Sequence, residues 1–420
     1  MVKQGYKQTD VGVIPEDWSC VKFGEKVKIY RGGSPRPIQA YITTSSKGIN
    51  WIKIGDVGEN DKYICSTQEK IIPEGVAKSR EVRKGDFILS NSMSFGRPYI
   101  LGIDGCIHDG WLTIQEYKNT FCTEYLYYLL SSDLVYQQYI SMAAGSSVKN
   151  LNKDKVSALN VIYPSFLEQK RIAEALSDVD SMIFSLEKLI AKKKAVKQGA
   201  MQELLTGKKR IKGFSGEWQI KKLEEYCSLI TKQTGFDYSA YIKPALTKRK
   251  NNNTLPMIQT INFRGKRFDF NTDYFIPKSV AENFPNIILR NKCVLFSIVG
   301  ASVGNIGLYP GGVSFCGGAI GITRFYEEDD ADWVYYYMSS SEGQARIQYV
   351  TKGGAQATVT IADIRNFSIP TPSKEERIAI TALLSDMDNE IEALEQKLAK
   401  TRQIKQGMMQ QLLTGKIRLV

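Results

Sequence analysis

The chemistry open to this chain divides into groups that make and break bonds and groups that pair with an acidic polymer, and the first kind is scarce. His108 is the only histidine, and no partner set around it points to a Ser-His-Asp triad. It reads either as a hydrogen-bonded loop or core residue or as a contact to a ligand. The Thr-Gly-Lys sequences at 206–208 and 414–416 lack the earlier glycine of a phosphate-binding loop. No Asn-Pro-Pro-aromatic or Asp-Pro-Pro-aromatic run, which would signal an amino-group methyltransferase, is present. The seven cysteines (20, 65, 106, 122, 227, 293 and 316) include no C-x-x-C pair. That spacing argues against a zinc site and a disulfide framework, and suits free thiols in a reducing cytoplasm. Scattered Asp and Glu residues could be gathered into a nuclease-like set, but such sets arise by chance. The expectation is a non-catalytic chain with no metal and no cofactor.

Groups that could read a polyanion are plentiful. Lys and Arg outnumber Asp and Glu by 56 to 44, a net +12, which favours nucleic acid; a basic protein without such a partner would show the same balance. Candidate contacts sit in loops rich in Gly, Ser, Asn and Arg. In the first half they are Arg31, Ser34 and Arg36 in RGGSPR, then Asn91, Ser92, Ser94 and Arg97 in SNSMSFGR, then His108, Lys149 and Asn150. In the second half they are Lys232 and Gln233, then Gln259, Asn262, Arg264 and Lys266 in QTINFRGK, then Ser302, Asn305, Gln356 and Thr358. Arg97 falls opposite Asn305 when the halves are aligned. Arginine pairs bidentately with guanine and asparagine with adenine, so the exchange suits two domains that read different bases. Loops also vary simply because they are surface.

What would position these loops is a duplication. Residues 164–211 align without a gap to 372–419, an offset of 208, and 24 of the 48 pairs are identical. Upstream the same offset links Gly96 to Gly304, Gly110 to Gly318, and Tyr127-Tyr128 to Tyr335-Tyr336, with most other residues changed. Trp18 and Trp218 open the two halves. The segment GFSGEW follows Gly207-Lys208, and the similar GVIPEDW would follow Gly415-Lys416 if the C-terminus met the N-terminus. A circular, pseudo-twofold arrangement with neighbouring termini is the inference. The expected domains are 1–163 and 212–371, with helical repeats at 164–211 and 372–420.

In each repeat a Pro-Ser-x-x-Glu sequence (Ser165 with Glu168, Ser373 with Glu376) reads as a helix start with a capping box. Apolar residues then recur at spacings of four and three: Ile172, Leu176, Val179, Ile183, Leu186 and Ile190 in the first copy. In the second they are Ile380, Leu384, Met387, Ile391, Leu394 and Leu398. That is a coiled-coil seam, with Gly207 and Gly415 placed as left-handed C-terminal caps. Two helices of about 40 residues, roughly 60 Å each at ~1.5 Å per residue, would pack antiparallel on each other. Two independent helices, each folded onto its own domain, are the alternative.

The globular parts read as mixed α and β. Strands are expected at 50–54, 86–90 and 293–297, short helices at 124–134 and 332–338, and hairpin turns at Asp104-Gly105 and Pro310-Gly311-Gly312. No run of 18 apolar residues exists, and the N-terminal MVKQGYKQTD carries no signal-peptide core. A cytoplasmic protein is expected.

On these residues the chain resembles the specificity subunits of type I restriction-modification systems. The likeness covers the whole length. It is strongest in EQKRIAEALSDVD and KQGAMQELLTGKKR, with LSDMD and KQGMMQQLLTGK in the second copy, and extends to GDFILSNSMSFGRPYIL and the Gly33-Ser34-Pro35 turn. The second half departs at that turn, with Lys232-Gln233-Thr234. The resemblance implies an α+β fold: two α/β target recognition domains in a pseudo-twofold arrangement, separated by two long antiparallel coiled-coil helices. Each domain would read one half of a split site in double-stranded DNA. The helices would set the half-site spacing and dock two modification subunits that carry S-adenosylmethionine and methylate adenine, joined by restriction subunits in the full complex. A self-contained nuclease or methyltransferase and a coiled-coil protein adaptor are the competing readings.

Overall fold

The computed structural model describes residues 4–58, 61–91, 96–143, 151–264, 266–352 and 357–420. They fall into two units, Met1–Glu187 with Lys397–Val420, and Lys188–Gln396. Two 39-residue helices, Phe166–Leu204 and Lys374–Leu412, each contribute to both.

In the first unit a five-stranded sheet runs Lys28–Arg31, Trp111–Gln115, Phe87–Ser90, Pro98–Leu101, Tyr63–Ile64, antiparallel except for the last pair. Phe87–Ser90 and Pro98–Leu101 are buried at every position, as their continuous apolar runs dictate. A second five-stranded sheet runs Ile42–Thr43, Glu69–Ile71, Ile49–Ile52, Gly105–Ile107, Arg80–Val82. The helices Thr123–Leu130 and Asp133–Ala143 follow. Ser19–Lys22 closes the unit by pairing with Asn160–Tyr163.

The second unit repeats this plan. Cys227–Lys232, Ile320–Phe325, Cys293–Ser297 and Ile306–Tyr309 form one sheet, and Phe275–Pro277, Thr254–Ile258, Ser314–Cys316 and Ile288–Leu289 the other. Glu328–Ser339 and Ser341–Val350 supply the helices, and Gln219–Lys222 pairs with Ser368–Thr371.

The two expected hairpins do not form. Gly105–Ile107 leaves the sheet of Pro98–Leu101 and pairs with Ile49–Ile52 in parallel and with Arg80–Val82 in the second sheet. Ser314–Cys316 does the same after Pro310-Gly311-Gly312, joining Thr254–Ile258 and Ile288–Leu289. The turn residues bend the chain as their types require, but the strand that follows switches sheet.

The two long helices pair antiparallel within each unit. In the second, Lys193 meets Glu390 at 2.7 Å and Lys197 meets Asp388 at 2.5 Å. In the first, Lys405 meets Asp180 at 2.7 Å and Arg402 meets Glu187 at 2.6 Å. The apolar stripe is shared between helix and domain. Ile172 and Leu176 are buried in a core with Leu412, Leu413, Tyr125 and Leu129. Ile380 and Leu384 lie in the matching core with Leu204, Leu205 and Trp333. Leu186, Ile190 and Ile391 are buried, whereas Val179, Ile183, Met387, Leu394 and Leu398 are half-buried.

Each helix docks its own globular part through an Asp that serves two partners. Asp180 accepts from the Tyr128 hydroxyl at 2.7 Å and pairs with Lys405 of the other helix. Asp388 accepts from Tyr336 at 2.8 Å and pairs with Lys197. All three positions repeat at offset 208.

The helix starts correct the capping-box expectation. The Ser165 and Ser373 hydroxyls do take the Glu168 and Glu376 N–H groups, at 3.4 and 3.3 Å. The two glutamates do not reach back. They are 2% and 1% exposed, and each is clamped by an arginine beyond the end of the other helix. Arg418 Nε and Nη2 reach Glu168 at 2.6 and 2.8 Å and its Nη atoms hold Asp17 at 2.9 and 2.7 Å. The Arg418 guanidinium beside Asp17 holds that carboxyl below its ordinary value. Arg210 binds Glu376 at 2.5 and 2.6 Å, and the Trp218 indole N–H donates to the same carboxylate at 3.2 Å. Gly207 and Gly415 take φ of +71° and +70°, so the chain turns back at each helix end and brings the arginine into place. Trp18 packs under Gly415, and the Tyr6 hydroxyl reaches the Gly415 carbonyl at 3.3 Å. Tyr6, Asp17 and Trp18 are therefore neighbours of Gly415 and Arg418 in the first unit, as the circular alignment requires.

Removing Arg418 would strand a buried carboxylate, which costs about 3 kcal/mol when one partner of a buried pair is lost. Arg418→Ala is expected to lower the melting midpoint by roughly 6 °C or more, at ~2–4 °C per kcal/mol for a unit of this size. Arg402→Ala removes an exposed pair with Glu187 and is expected to shift it by no more than about 2 °C. Equal midpoints for the two variants would rule out the clamp as a main support.

Candidate nucleic-acid interface

At one end of the first unit, three chain segments converge where strands finish. Gly32 and Gly33 follow Lys28–Arg31, Asn91 follows Phe87–Ser90, and His108-Asp109 precedes Trp111–Gln115. Gly32 lies so close to the next segment that a Cβ would stand 2.1 Å from the His108 carbonyl oxygen, which explains why this turn needs glycine.

Asp109 is the hub. Its carboxylate takes the Ser34 hydroxyl at 2.8 Å and the His108 Nε2 at 3.0 Å, and Arg36 stands 3.8 Å away. Its carbonyl takes Arg31 Nε at 3.3 Å and Asn91 Nδ2 at 3.0 Å. Burial alone would raise the Asp109 carboxyl, but the Ser34 hydroxyl and the neighbouring His108 and Arg31 outweigh it and hold it below the ordinary value. His108 Nδ1 takes the Gly110 N–H at 2.8 Å while Nε2 faces the Asp109 carboxylate. Ser34, Arg36, Trp51, His108 and Asp109 line an open cavity of about 850 Å³. Five sequence-predicted residues (Arg31, Ser34, Arg36, Asn91 and His108) thus meet around Asp109, which the sequence offers only as the second residue of the His108-Asp109 loop. The signal for Asp109 was its place in the loop beside His108, read without knowing that two other loops close on it.

The members differ in what they could offer a ligand. Arg36 is exposed, with its side chain 84% accessible. Asn91 is buried and spent on the loop framework. Arg97 carries its guanidinium over the Tyr99 ring, 5.6 Å from the centroid.

The second unit keeps the framework and changes the tips. Ser90 N–H donates to the Arg97 carbonyl at 3.1 Å, and Ser297 N–H to the Asn305 carbonyl at 2.9 Å. Asn305 is exposed, Ser302 shares its hydroxyl with Ser297 at 2.7 Å, and Thr358 bridges Val299 and Lys352 through its backbone. Lys232 is exposed and Gln233 is buried.

Besides Asn91 and Gln233, two more of the predicted contacts are directed inward. Asn262 is buried, taking the Gln259 N–H at 2.8 Å and donating to the Asp269 and Asn271 carbonyls at 2.9 and 2.8 Å. Lys266 donates to the Ser385 hydroxyl at 2.5 Å on the long helix, and burial pushes its ammonium below the usual value. Both side chains brace this loop. Ser92, Ser94, Lys149, Asn150 and Gln356, and the Arg264 side chain, lie outside the described residues. No group of three or more His, Cys, Asp or Glu side chains placed to hold a metal occurs among the described residues.

Comparison with known proteins gives this geometry a context. The sequence model described as "Type I restriction modification DNA specificity domain" matches twice, at residues 15–198 and 215–403. A putative type I restriction enzyme specificity subunit of Methanocaldococcus jannaschii, named MjaX, is 27% identical, with 99% of this chain and 97% of that protein aligned. A solved structure described for the complex assembly and conformational transition of the type I R-M system contains a chain with the same fold. Its TM-score is 0.62 at 19% identity, covering 96% of this chain and 99% of that one. The HsdS subunit of Thermoanaerobacter tengcongensis also shares the fold, with a TM-score of 0.51 at 19% identity over 99% and 100% of the two chains. With the family's domain matched in both halves, the chain belongs to the type I restriction-modification DNA specificity family, whose members are non-catalytic recognition subunits.

Proposed function

We propose that each globular part, 1–163 and 212–371, reads one half of a bipartite site in double-stranded DNA. The helices 164–211 and 372–420 would fix the half-site spacing and dock two modification subunits, which bring S-adenosylmethionine and the adenine methyltransferase chemistry. Restriction subunits complete the assembly, in the cytoplasm where the DNA is. No described helix is long and apolar enough to cross a membrane.

The observation that carries this reading is a fixed frame with exchanged tips. The Tyr–Asp–Lys bridges and Arg–Glu clamps repeat residue for residue. Where the first domain builds a charged hub at Asp109, the second has the glycines Gly317 and Gly318. A frame held constant suits identical partners, and tips that differ suit different bases. Arg36, exposed and steadied by Asp109, is the first domain's guanine reader. Phosphate contacts from Arg31, Lys232 and neighbouring lysines make binding salt-dependent.

The docking face is supported by two glycines that the chain itself does not need. Gly199 and Gly407 lie inside the long helices, where glycine costs ~0.5–1 kcal/mol relative to alanine. A Cβ at either position would meet nothing within 4 Å among the described residues, and both are flanked by exposed glutamines, Gln198 and Gln202, Gln406 and Gln410. A close approach by the same partner at each helix accounts for all six positions.

Co-expression with the neighbouring modification subunit, followed by mapping of methylated adenines on host DNA, is expected to yield a split motif with a fixed gap. A stable, cofactor-competent complex that methylates nothing would refute the specificity role. Arg36→Ala is expected to relax one G·C position of the first half-site by about tenfold or more, at ~1–3 kcal/mol per bidentate contact, and to leave the second half-site unchanged; relaxation in both would contradict separate reading. Gly199→Leu with Gly407→Leu should leave the free chain at least as stable, because leucine is the better helix former. The pair should also weaken subunit binding measured by titration, and unchanged binding would place the docking face elsewhere.

A further inference from the structure

Gln233 is the first residue beyond the strand Cys227–Lys232. It is 5% exposed, and neither its amide nitrogen nor its amide oxygen has a hydrogen-bond partner among the described residues. Buried amides are normally paired, since an unmade hydrogen bond forfeits the water the group gave up. Such an arrangement is poor for stability and needs another reason.

Its place in the sheet supplies one. In the first domain Arg31 stands opposite Leu112. At offset 208 Leu112 becomes Ile320, and Lys232 stands opposite Gly321, so the next residue, Gln233, occupies the Arg31 position. Arg31 has a partner there, the Asp109 carbonyl. The loop facing Gln233 is Gly317-Gly318, with no side chain to offer. A Cβ on Gly318 would lie 3.4 Å from the Gln233 amide oxygen, and one on Gly317 would stand 2.7 Å from the Ile258 carbonyl oxygen. The packing that forbids a side chain at Gly317 leaves the amide alone. The exposed Lys232 precedes it, a cation suited to a phosphate beside the base that would be read.

We propose that Gln233 is the adenine-reading residue of the second half-site, stored in a dry position and rotated out when DNA arrives. This rests on the half-site reading above. A glutamine amide presents one donor and one acceptor, the complement of adenine N7 and N6 in the major groove. Lying past the end of its strand, Gln233 can turn without breaking a ladder hydrogen bond. The hydrogen bonds gained on the base are ones the free protein lacks, so the contact discriminates strongly against a base that cannot make them.

The test uses the full chain with its modification subunits. Gln233→Leu is near-isosteric and removes the unpaired amide. The free variant is expected to melt at or above the wild-type midpoint, while the methylated motif loses about tenfold or more of its preference for A·T at one position of the second half-site. Gln233→Arg should shift preference at that position towards guanine, and it reads out even if the leucine variant folds poorly. The first half-site stays unchanged in both. A split motif that neither substitution alters would overturn this inference alone. A wild-type complex with no split motif would overturn the half-site reading and this inference with it. A leucine variant that melts well below wild type with its motif intact would show Gln233 to be a packing residue.

Discussion

One buried carboxylate in each unit holds that unit's helix pairing to one arrangement. Glu168 and Glu376 sit in the first turn of each long helix, almost fully removed from water. A carboxylate in that position must be neutralised by a matched cation or lose its charge. In both cases the cation comes from the far end of the other helix: Arg418 for Glu168 and Arg210 for Glu376. The pairing fixes which helix start meets which helix end, and a guanidinium fork on two carboxylate oxygens fixes the angle as well. The antiparallel pairing, the placement of Trp18 and Trp218, and the left-handed glycines before each arginine are all consistent with that single requirement. Apolar burial supplies the bulk of the driving force, but Leu on Leu would tolerate a slipped register that Arg on Glu does not.

The frame is redundant by design of the repeat, while the loops it carries are not. Asp109 draws three segments together through its carboxylate and its carbonyl, so the first domain's tip is a rigid, charged surface. The second domain has glycine at the matching place and relies on backbone bridges such as Val299 with Thr358. The first tip therefore gathers cations around one carboxylate, whereas the second has no carboxylate at that place and buries the Gln233 amide beside its glycines. A duplicated scaffold can diverge in this way because the loops contribute little to either core.

Much of this was legible in the sequence. The offset of 208 located the helices, their glycine caps and the Asp and Lys positions that bridge them, because those residues repeat identically. Local rules failed where the deciding partner was distant. Ser165 and Glu168 satisfy a capping pattern, and nothing nearby shows that Glu168 answers instead to a residue 250 positions on. Asp104-Gly105 and Pro310–Gly312 are sound turn sequences, yet the parallel partners Ile49–Ile52 and Thr254–Ile258 outcompete the hairpins. Asn262 has the chemistry of a base reader and spends it on its own loop. Whether a polar side chain faces outward is set by three-dimensional neighbours, which a linear pattern does not contain.

The make-up of the first unit also sets an order of events during synthesis. The second unit is a continuous stretch, Lys188–Gln396, whereas the first needs Lys397–Val420 as well as Met1–Glu187. The part translated first thus waits for a segment made after the whole of the other unit, roughly 10–40 s later at ~5–20 residues per second. Through that interval Glu168 lacks its arginine, and the core around Ile172 and Leu176 lacks Leu412 and Leu413. The second unit can close on the ribosome; the first is left open, with apolar surface available to chaperones, until the last helix emerges.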